Sequence, residues 1–297
     1  MGETRDQKSL ERERTPNRNQ TACPIRWIAS DIDGTLLDPE IGLGENLVQR
    51  FQESLRALKQ RDPQLGFSLV SGRPSFAIYK YAEKLGLSTP ILACNGAILE
   101  DQGRRVFEES FDITGIWHFL EAVAQDGHTV LLYAGDTEYC LQETEWVQLR
   151  RAKGAAYPVF DREALGRLGK QIIKVNLFAK PEDDHGISDY LGILERLEDQ
   201  FSIAYYGTLG CEIVSVQANK GQGVFHLAKY LNLKPEEILV IGDNSNDIPM
   251  FQRAKYSVAV NNASDALKEQ ASYVAQGRAI YGVIEAMDLI RQGFCFE

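Results

Sequence analysis

The sequence predicts an α/β protein: a parallel-sheet core of Rossmann-like build, helices on both faces, and an α+β unit inserted into it. Three observations predict this. Short apolar runs recur, and each ends in a polar turn. Stretches of helical periodicity alternate with them, the rhythm of a parallel sheet with crossover helices. Between about residues 103 and 206 that rhythm gives way to hairpin signals, and after residue 207 it returns. The expected division is therefore a core from 22–102 and 207–297, with 103–206 inserted.

The core begins with the apolar run Ile25 to Ala29, read as a buried strand, which ends in Asp31-Ile32-Asp33-Gly34-Thr35. Residues i and i+2 of a strand point the same way, so Asp31 and Asp33 start on one face. Gly34 allows a sharp turn. Two carboxylates this close repel unless a cation or a shared proton neutralises them, and Mg²⁺ is the economical choice. An ordinary acidic loop is the plain alternative. Leu47, Phe51, Leu55 and Leu58 give a helix from about 45 to 60, stopped by Pro63. Phe67 to Val70 is a second strand, ending at Ser71-Gly72-Arg73. Pro74 opens the next helix and Gly86 closes it. Pro90 to Cys94 is a third strand, closed by Asn95-Gly96-Ala97.

In the insertion, a helix over 113–124 precedes strands over 128–134 and 138–141, around the Gly135-Asp136 turn. The basic stretch from Arg150 to Gly154 reads as leading into an irregular connection. A strand over 172–179, a helix over 186–200 and paired strands over 202–206 and 211–216 follow. Tyr133, Tyr139, Tyr205, Tyr206 and Glu212 stand where they could face a ligand, although strand aromatics more often pack. The core resumes with Lys220, a helix to Leu231, a strand over 238–241 ending at Gly242-Asp243-Asn244-Ser245-Asn246-Asp247, a short strand over 257–260, and helices near 265–270 and 282–291.

Composition sets limits. The 297 residues are 44% hydrophobic and 25% charged, as in globular proteins, and the formal net charge is −10. Nonspecific nucleic-acid binding needs a basic face, so no nucleic-acid partner is expected. The same charge disfavours a phosphate in bulk, so an anionic substrate needs local metal, Lys or Arg. The five scattered cysteines read as reduced thiols of a cytoplasmic protein. No run reaches the roughly 18 apolar residues of a membrane span. Residues 1–21 are polar and aperiodic, as in a disordered tail.

In a parallel sheet the polar strand ends share one edge, where α/β sheets bind ligands. That gathers Asp31, Asp33, Ser71, Gly72, Arg73, Asn95, Asp243, Asn246 and Asp247, with Lys220 on the same side. The types suit phosphoryl transfer: a carboxylate to attack phosphorus, another to shuttle the proton, and hydroxyl, N–H and ammonium groups to hold the oxygens.

The motifs Asp31-Ile32-Asp33-Gly34-Thr35-Leu36, Ser71-Gly72-Arg73, Asn95-Gly96-Ala97, Asn219-Lys220-Gly221 and Gly242 to Met250 resemble, in order, those of the haloacid-dehalogenase-like superfamily, and its Cof-type phosphatases most. The similarity runs from about Arg26 to Ala286. It implies Asp31 as nucleophile and Asp33 as general acid/base, with phosphate held by Ile32, Ser71, Gly72, Lys220 and Asn246. It implies Mg²⁺ at Asp31, Asp33 (through its backbone carbonyl) and Asp243, with Asp247, Arg73 and Asn95 in support. The inserted unit occupies the cap position of that branch. The implied activity is Mg²⁺-dependent hydrolysis of a small phosphorylated metabolite, a sugar phosphate or similar, through an aspartyl-phosphate, by a monomer or small homo-oligomer. The alternatives are a sugar phosphomutase and a non-enzymatic phosphate-sensing module.

Overall fold

The structure, a computed structural model, describes residues 24–296 except 182 and 184. The expected disordered tail lies outside the described residues.

The core sheet has eight strands: β1 (Trp27–Asp31), β2 (Gly66–Val70), β3 (Ile91–Ala93), β4 (Ile98–Asp101), β5 (Arg104–Glu108), β11 (Ile238–Gly242), β12 (Tyr256–Ala259) and β13 (Tyr273–Val274). Their spatial order is β13-β12-β11-β1-β2-β3-β4-β5. The first six in that order run parallel, and β4 and β5 add an antiparallel hairpin at one edge. β1 and β2 carry no exposed residue, as expected of strands covered on both faces. The chain runs outward from β1 through β2 and β3 on one side and from β11 through β12 on the other. The reversal of strand order lies at β1 and β11, so their carboxyl ends flank the crevice of an open α/β sheet.

Among the described residues, six α-helices accompany this sheet in two stretches of chain: α1 (Glu45–Arg61) and α2 (Ser75–Leu85), then α7 (Lys220–Leu231), α8 (Ile248–Phe251), α9 (Asp265–Lys268) and α10 (Ile280–Arg291); α3 (Trp117–Gln125) leads into the insertion. In α1, Leu47, Phe51, Leu55 and Leu58 are buried, the i, i+4, i+8 stripe seen in the sequence.

The second sheet has five antiparallel strands in the order β7-β6-β8-β10-β9: β6 (Thr129–Ala134), β7 (Thr137–Cys140), β8 (Lys174–Phe178), β9 (Phe201–Tyr205) and β10 (Gly210–Ser215). One face packs its Val130, Leu132, Val175, Leu177 and Ile213 against α3, α5 (Arg162–Leu168) and α6 (Leu191–Leu197). The alternate residues point back at the core, where Tyr133 and Val214 join its apolar cluster, as does Ile173 just before β8. The expected division points, 102/103 and 206/207, fall in the β4–β5 and β9–β10 hairpin turns. By sheet membership the first sheet therefore extends to Glu108 and the second to Ser215. The connection read as irregular after Gly154 holds α5, and α4 (Glu145–Arg151), for which no helix was expected, precedes it; each is capped by a side chain, Thr144 for α4 and Asp161 for α5.

Candidate active site

Asp31 ends β1 and Asp243 follows β11, its neighbour. After Asp31 the chain turns at Gly34, with φ +89°. A Cβ there would lie 2.1 Å from Oδ2 of Asp243, so only glycine lets the first loop pass this close to the second acid. Thr35 Oγ1 donates to Asp243 Oδ1 at 2.9 Å, and Asn262 Nδ2 donates to the Gly34 carbonyl at 2.8 Å. The Ile32 carbonyl accepts from the N–H groups of Leu36 and Leu37 at 2.9 and 2.7 Å, which closes the turn.

Lys220 begins α7 and is 1% exposed. Its Nζ donates to Asp31 Oδ1 and to Asp247 Oδ1, both at 2.6 Å. The other oxygen of Asp247 accepts from the N–H groups of Asp243 and Asn244, at 2.8 and 3.1 Å. Asp247 thus fixes the loop after β11 and one proton of Lys220 together. Asp31 Oδ2 is buried and has no hydrogen-bond partner.

The electrostatics are those of a site with surplus negative charge. Carboxylate oxygens of Asp31, Asp243 and Asp247 come within 4.8 Å of one another. Burial pushes the Asp31 carboxyl well above its usual range, and Asp247 and Asp243 add to this, against the opposing pull of Lys220. Asp243 is pushed up to about 6 by burial and then by Asp247. Burial alone would lower the Lys220 ammonium, but the two acids outweigh it and hold it above its usual value. Three carboxylates facing one ammonium form an oxygen donor set that suits a hard divalent cation. The residues present therefore fit Mg²⁺, with Asp31 and Asp243 as the acids and Asp247 beside them.

Asp33 stands apart from that group. Its half-exposed carboxylate takes a two-pronged hydrogen bond from Arg73, Nη2 to Oδ1 at 2.6 Å and Nε to Oδ2 at 2.8 Å. Arg73 also donates to Tyr81 Oη at 3.1 Å and lies over that ring. The pair with Asp33 raises the guanidinium above its usual value. Ser71 is buried at the end of β2, and its Oγ accepts from the Arg73 N–H at 3.2 Å.

A cleft of about 490 Å³ opens over Lys220, lined also by Asn95, Asn246, Glu212, Tyr205 and Tyr206. Its size is that of a small-molecule site. Glu212, Tyr205 and Tyr206 thus meet the cleft as the sequence allowed. Tyr139 instead packs on Phe160, and Tyr133 is buried under the second sheet. The sequence reading passed over Thr35, Asn262 and Lys174. Thr35 carried a signal, because it stands in the first motif. Asn262 and Lys174 lie outside every motif.

With this geometry in hand, comparison places the chain. Residues 28–287 match the model of the haloacid dehalogenase-like hydrolase family. The chain belongs to this family. The Cof-type branch read from the motifs stands with it. The chain is 27% identical over 290 residues to a phosphatase of Bacillus subtilis, YwpJ, covering 89% of this chain and 99% of that one. It is 27% identical over 262 residues to the pyridoxal phosphate phosphatase YbhA of Escherichia coli, covering 84% and 92%. Among solved structures, TM0651 from Thermotoga maritima superposes with a TM-score of 0.72 at 25% identity, over 89% of this chain and 97% of that one. Among the described residues of this family member, no helix is long and apolar enough to cross a membrane.

Proposed function

We propose that this chain, a phosphoric monoester hydrolase, removes phosphate from a small metabolite such as a sugar phosphate, through an aspartyl-phosphate on Asp31 and with Mg²⁺ bound. The observation that carries the reading is the state of Asp31. Lys220 orients one of its oxygens, and the other is buried without a partner, a lone pair left for an incoming group.

In this reading an Asp31 oxygen bonds to phosphorus as the bond from phosphorus to the leaving oxygen breaks. Asp33 gives the leaving alkoxide its proton. It then takes a proton from water as water attacks phosphorus, and the Asp31–phosphorus bond breaks to release phosphate. Ser71, the Gly72 and Ile32 backbone, Lys220 and Asn246 hold the phosphoryl oxygens, and Asn95 and Asp247 brace them. Asp31, the Asp33 carbonyl and Asp243 would hold Mg²⁺, which supplies charge neutralisation for acids and phosphate when bound. The second sheet closes over the cleft as a cap and meets the leaving group. We place the protein in the cytoplasm as a monomer or small homo-oligomer, a reading that its free cysteines support.

The test is phosphate release from an aryl phosphate and a panel of sugar phosphates. Release is expected to require Mg²⁺ and to vanish in Asp31→Asn. Turnover by that variant in metal-free buffer refutes the assignment. An isomerised sugar phosphate in place of free phosphate would make the enzyme a mutase.

A further inference from the structure

The phosphate-binding turn after β2 is held at three consecutive carbonyls. Ser71 O accepts from the Asn95 N–H at 3.0 Å, and Arg73 O from the Cys94 N–H at 3.0 Å. Both donors belong to the core itself. The middle carbonyl, Gly72 O, accepts from Lys174 Nζ at 2.9 Å, and Lys174 belongs to the second sheet, 102 residues away in sequence.

The partner turn is under strain. Cys94, Asn95 and Gly96 have φ values of 49°, 55° and 88°. Two of these are non-glycine residues in the left-handed region, a conformation that persists only where its surroundings over-determine it. The Asn95 side chain is itself held from the second sheet, since its Nδ2 donates to Glu212 Oε1.

Lys174 and Glu212 form one unit. They are diagonal neighbours on the core-facing side of the antiparallel pair β8 and β10, where Glu212 stands opposite Asn176 and Val214 opposite Lys174. They are ion-paired, with side chains 6% and 4% exposed, and Tyr206 Oη donates to Glu212 Oε2 at 2.5 Å. Burial pushes the Glu212 carboxyl up, but Lys174, Tyr206 and Asn95 outweigh it and keep it below its usual range. A buried ion pair is weak evidence for stability, because an apolar pair of similar volume often serves as well. Its retention calls for a reason, and each partner here makes a hydrogen bond across the boundary between the sheets: Lys174 donates to Gly72 O in the phosphate-binding turn, and Glu212 accepts from Asn95 Nδ2 in the turn that holds it.

Resting on the phosphatase reading above, we propose that Lys174 and Glu212 are positioning residues. Together they clamp the Ser71-Gly72-Arg73 turn and the strained Cys94-Asn95-Gly96 turn, so that the phosphate-binding loop is set only while the second sheet is docked. Because Arg73 carries Asp33, the clamp reaches the proton shuttle as well. Neither residue needs to touch the leaving group for this role.

The test is the double variant Lys174→Met/Glu212→Met, which removes both charges and leaves neither buried alone. It is compared with wild type by thermal unfolding, by kcat/KM on p-nitrophenyl phosphate and on sugar phosphates, and by inhibition with inorganic phosphate. The expected loss in kcat/KM is about 10- to 100-fold, the size of a lost charge-assisted hydrogen bond. It is expected to be the same for every substrate and to be matched by weaker inhibition by phosphate. Lys174→Arg, which keeps charge and donor, is expected to recover most of it. A folded double variant with unchanged kinetics overturns the proposal. So does a loss confined to sugar phosphates, which would make the pair a reader of the leaving group. If the double variant does not fold, Glu212→Gln decides by the same criterion, a uniform loss supporting the clamp and a selective one overturning it. A wild type that releases no phosphate overturns the phosphatase reading before any variant is compared, and this proposal with it.

Discussion

Asp243→Asn offers the sharpest check on the electrostatics of the site. In the folded chain Asp243 is held at about 6, against an ordinary value of 3.8, because it is buried beside Asp247. Between those values the folded state binds more protons than the unfolded one, so stability falls as pH rises through this window. The penalty is absent below about pH 4 and fully present above about pH 6. A shift of roughly two units corresponds to about 3 kcal/mol at most, shared with Asp31, which titrates with it. Asparagine keeps the acceptor for Thr35 Oγ1 and removes the charge. In metal-free buffer at pH 8 the variant is therefore expected to be at least as stable as wild type, with a gain of up to about 3 kcal/mol, or several degrees in Tm for a chain of this size. At pH 4 the two should coincide. Mg²⁺ should raise the wild-type Tm, and more at pH 8 than at pH 5, because a cation relieves the repulsion by binding only the folded state. That gain should shrink sharply in the variant. Thermal unfolding at both pH values, with and without Mg²⁺, measures all of this. A variant less stable than wild type at pH 8 without metal, or an equal Mg²⁺ gain in both proteins, refutes the reasoning.

Two further substitutions probe the loops. Gly34→Ala places a methyl 2.1 Å from Asp243 Oδ2 at a φ of +89°. The left-handed conformation alone costs about 1–2 kcal/mol, and the displaced acid should lower kcat far more than Tm, which parallel kinetic and unfolding measurements would separate. Arg73→Lys replaces a fork with a point charge, so Asp33 loses its two-pronged partner. A roughly tenfold fall in kcat is expected, and an unchanged kcat would count against a proton-shuttling Asp33 held by Arg73.

What could be read in advance follows from where each signal is stored. The parallel strands are covered on both faces, so they appear as apolar runs, and their ends appear as the polar turns that follow. That is why Asp31, Ser71 and Asp243 are legible in the sequence, whereas Lys220, which opens α7, is marked there by the order of the motifs. The β4–β5 hairpin is not legible there, because it lies at a sheet edge and carries Glu100, Asp101, Arg104 and Arg105 on either side of its Gln102-Gly103 turn, which reads as solvated loop. The helix α4 buries only Val147 and leaves no periodicity to find, although Thr144 at its cap was a usable sign. Within the site, the limit is pairing across the fold. Nothing local says that Arg73 will hold Asp33, since 40 residues separate them. Lys174 and Glu212 are the instructive case. Each is the lone charge of a buried strand, which is a costly place for a charge without a partner. A lysine in Ile172-Ile173-Lys174-Val175 and a glutamate in Cys211-Glu212-Ile213 therefore predict each other, once the two strands are seen to pair. Such mutually required charges are a signal that motif order does not carry, and in this fold they mark where the two sheets meet around the Ser71-Gly72-Arg73 turn.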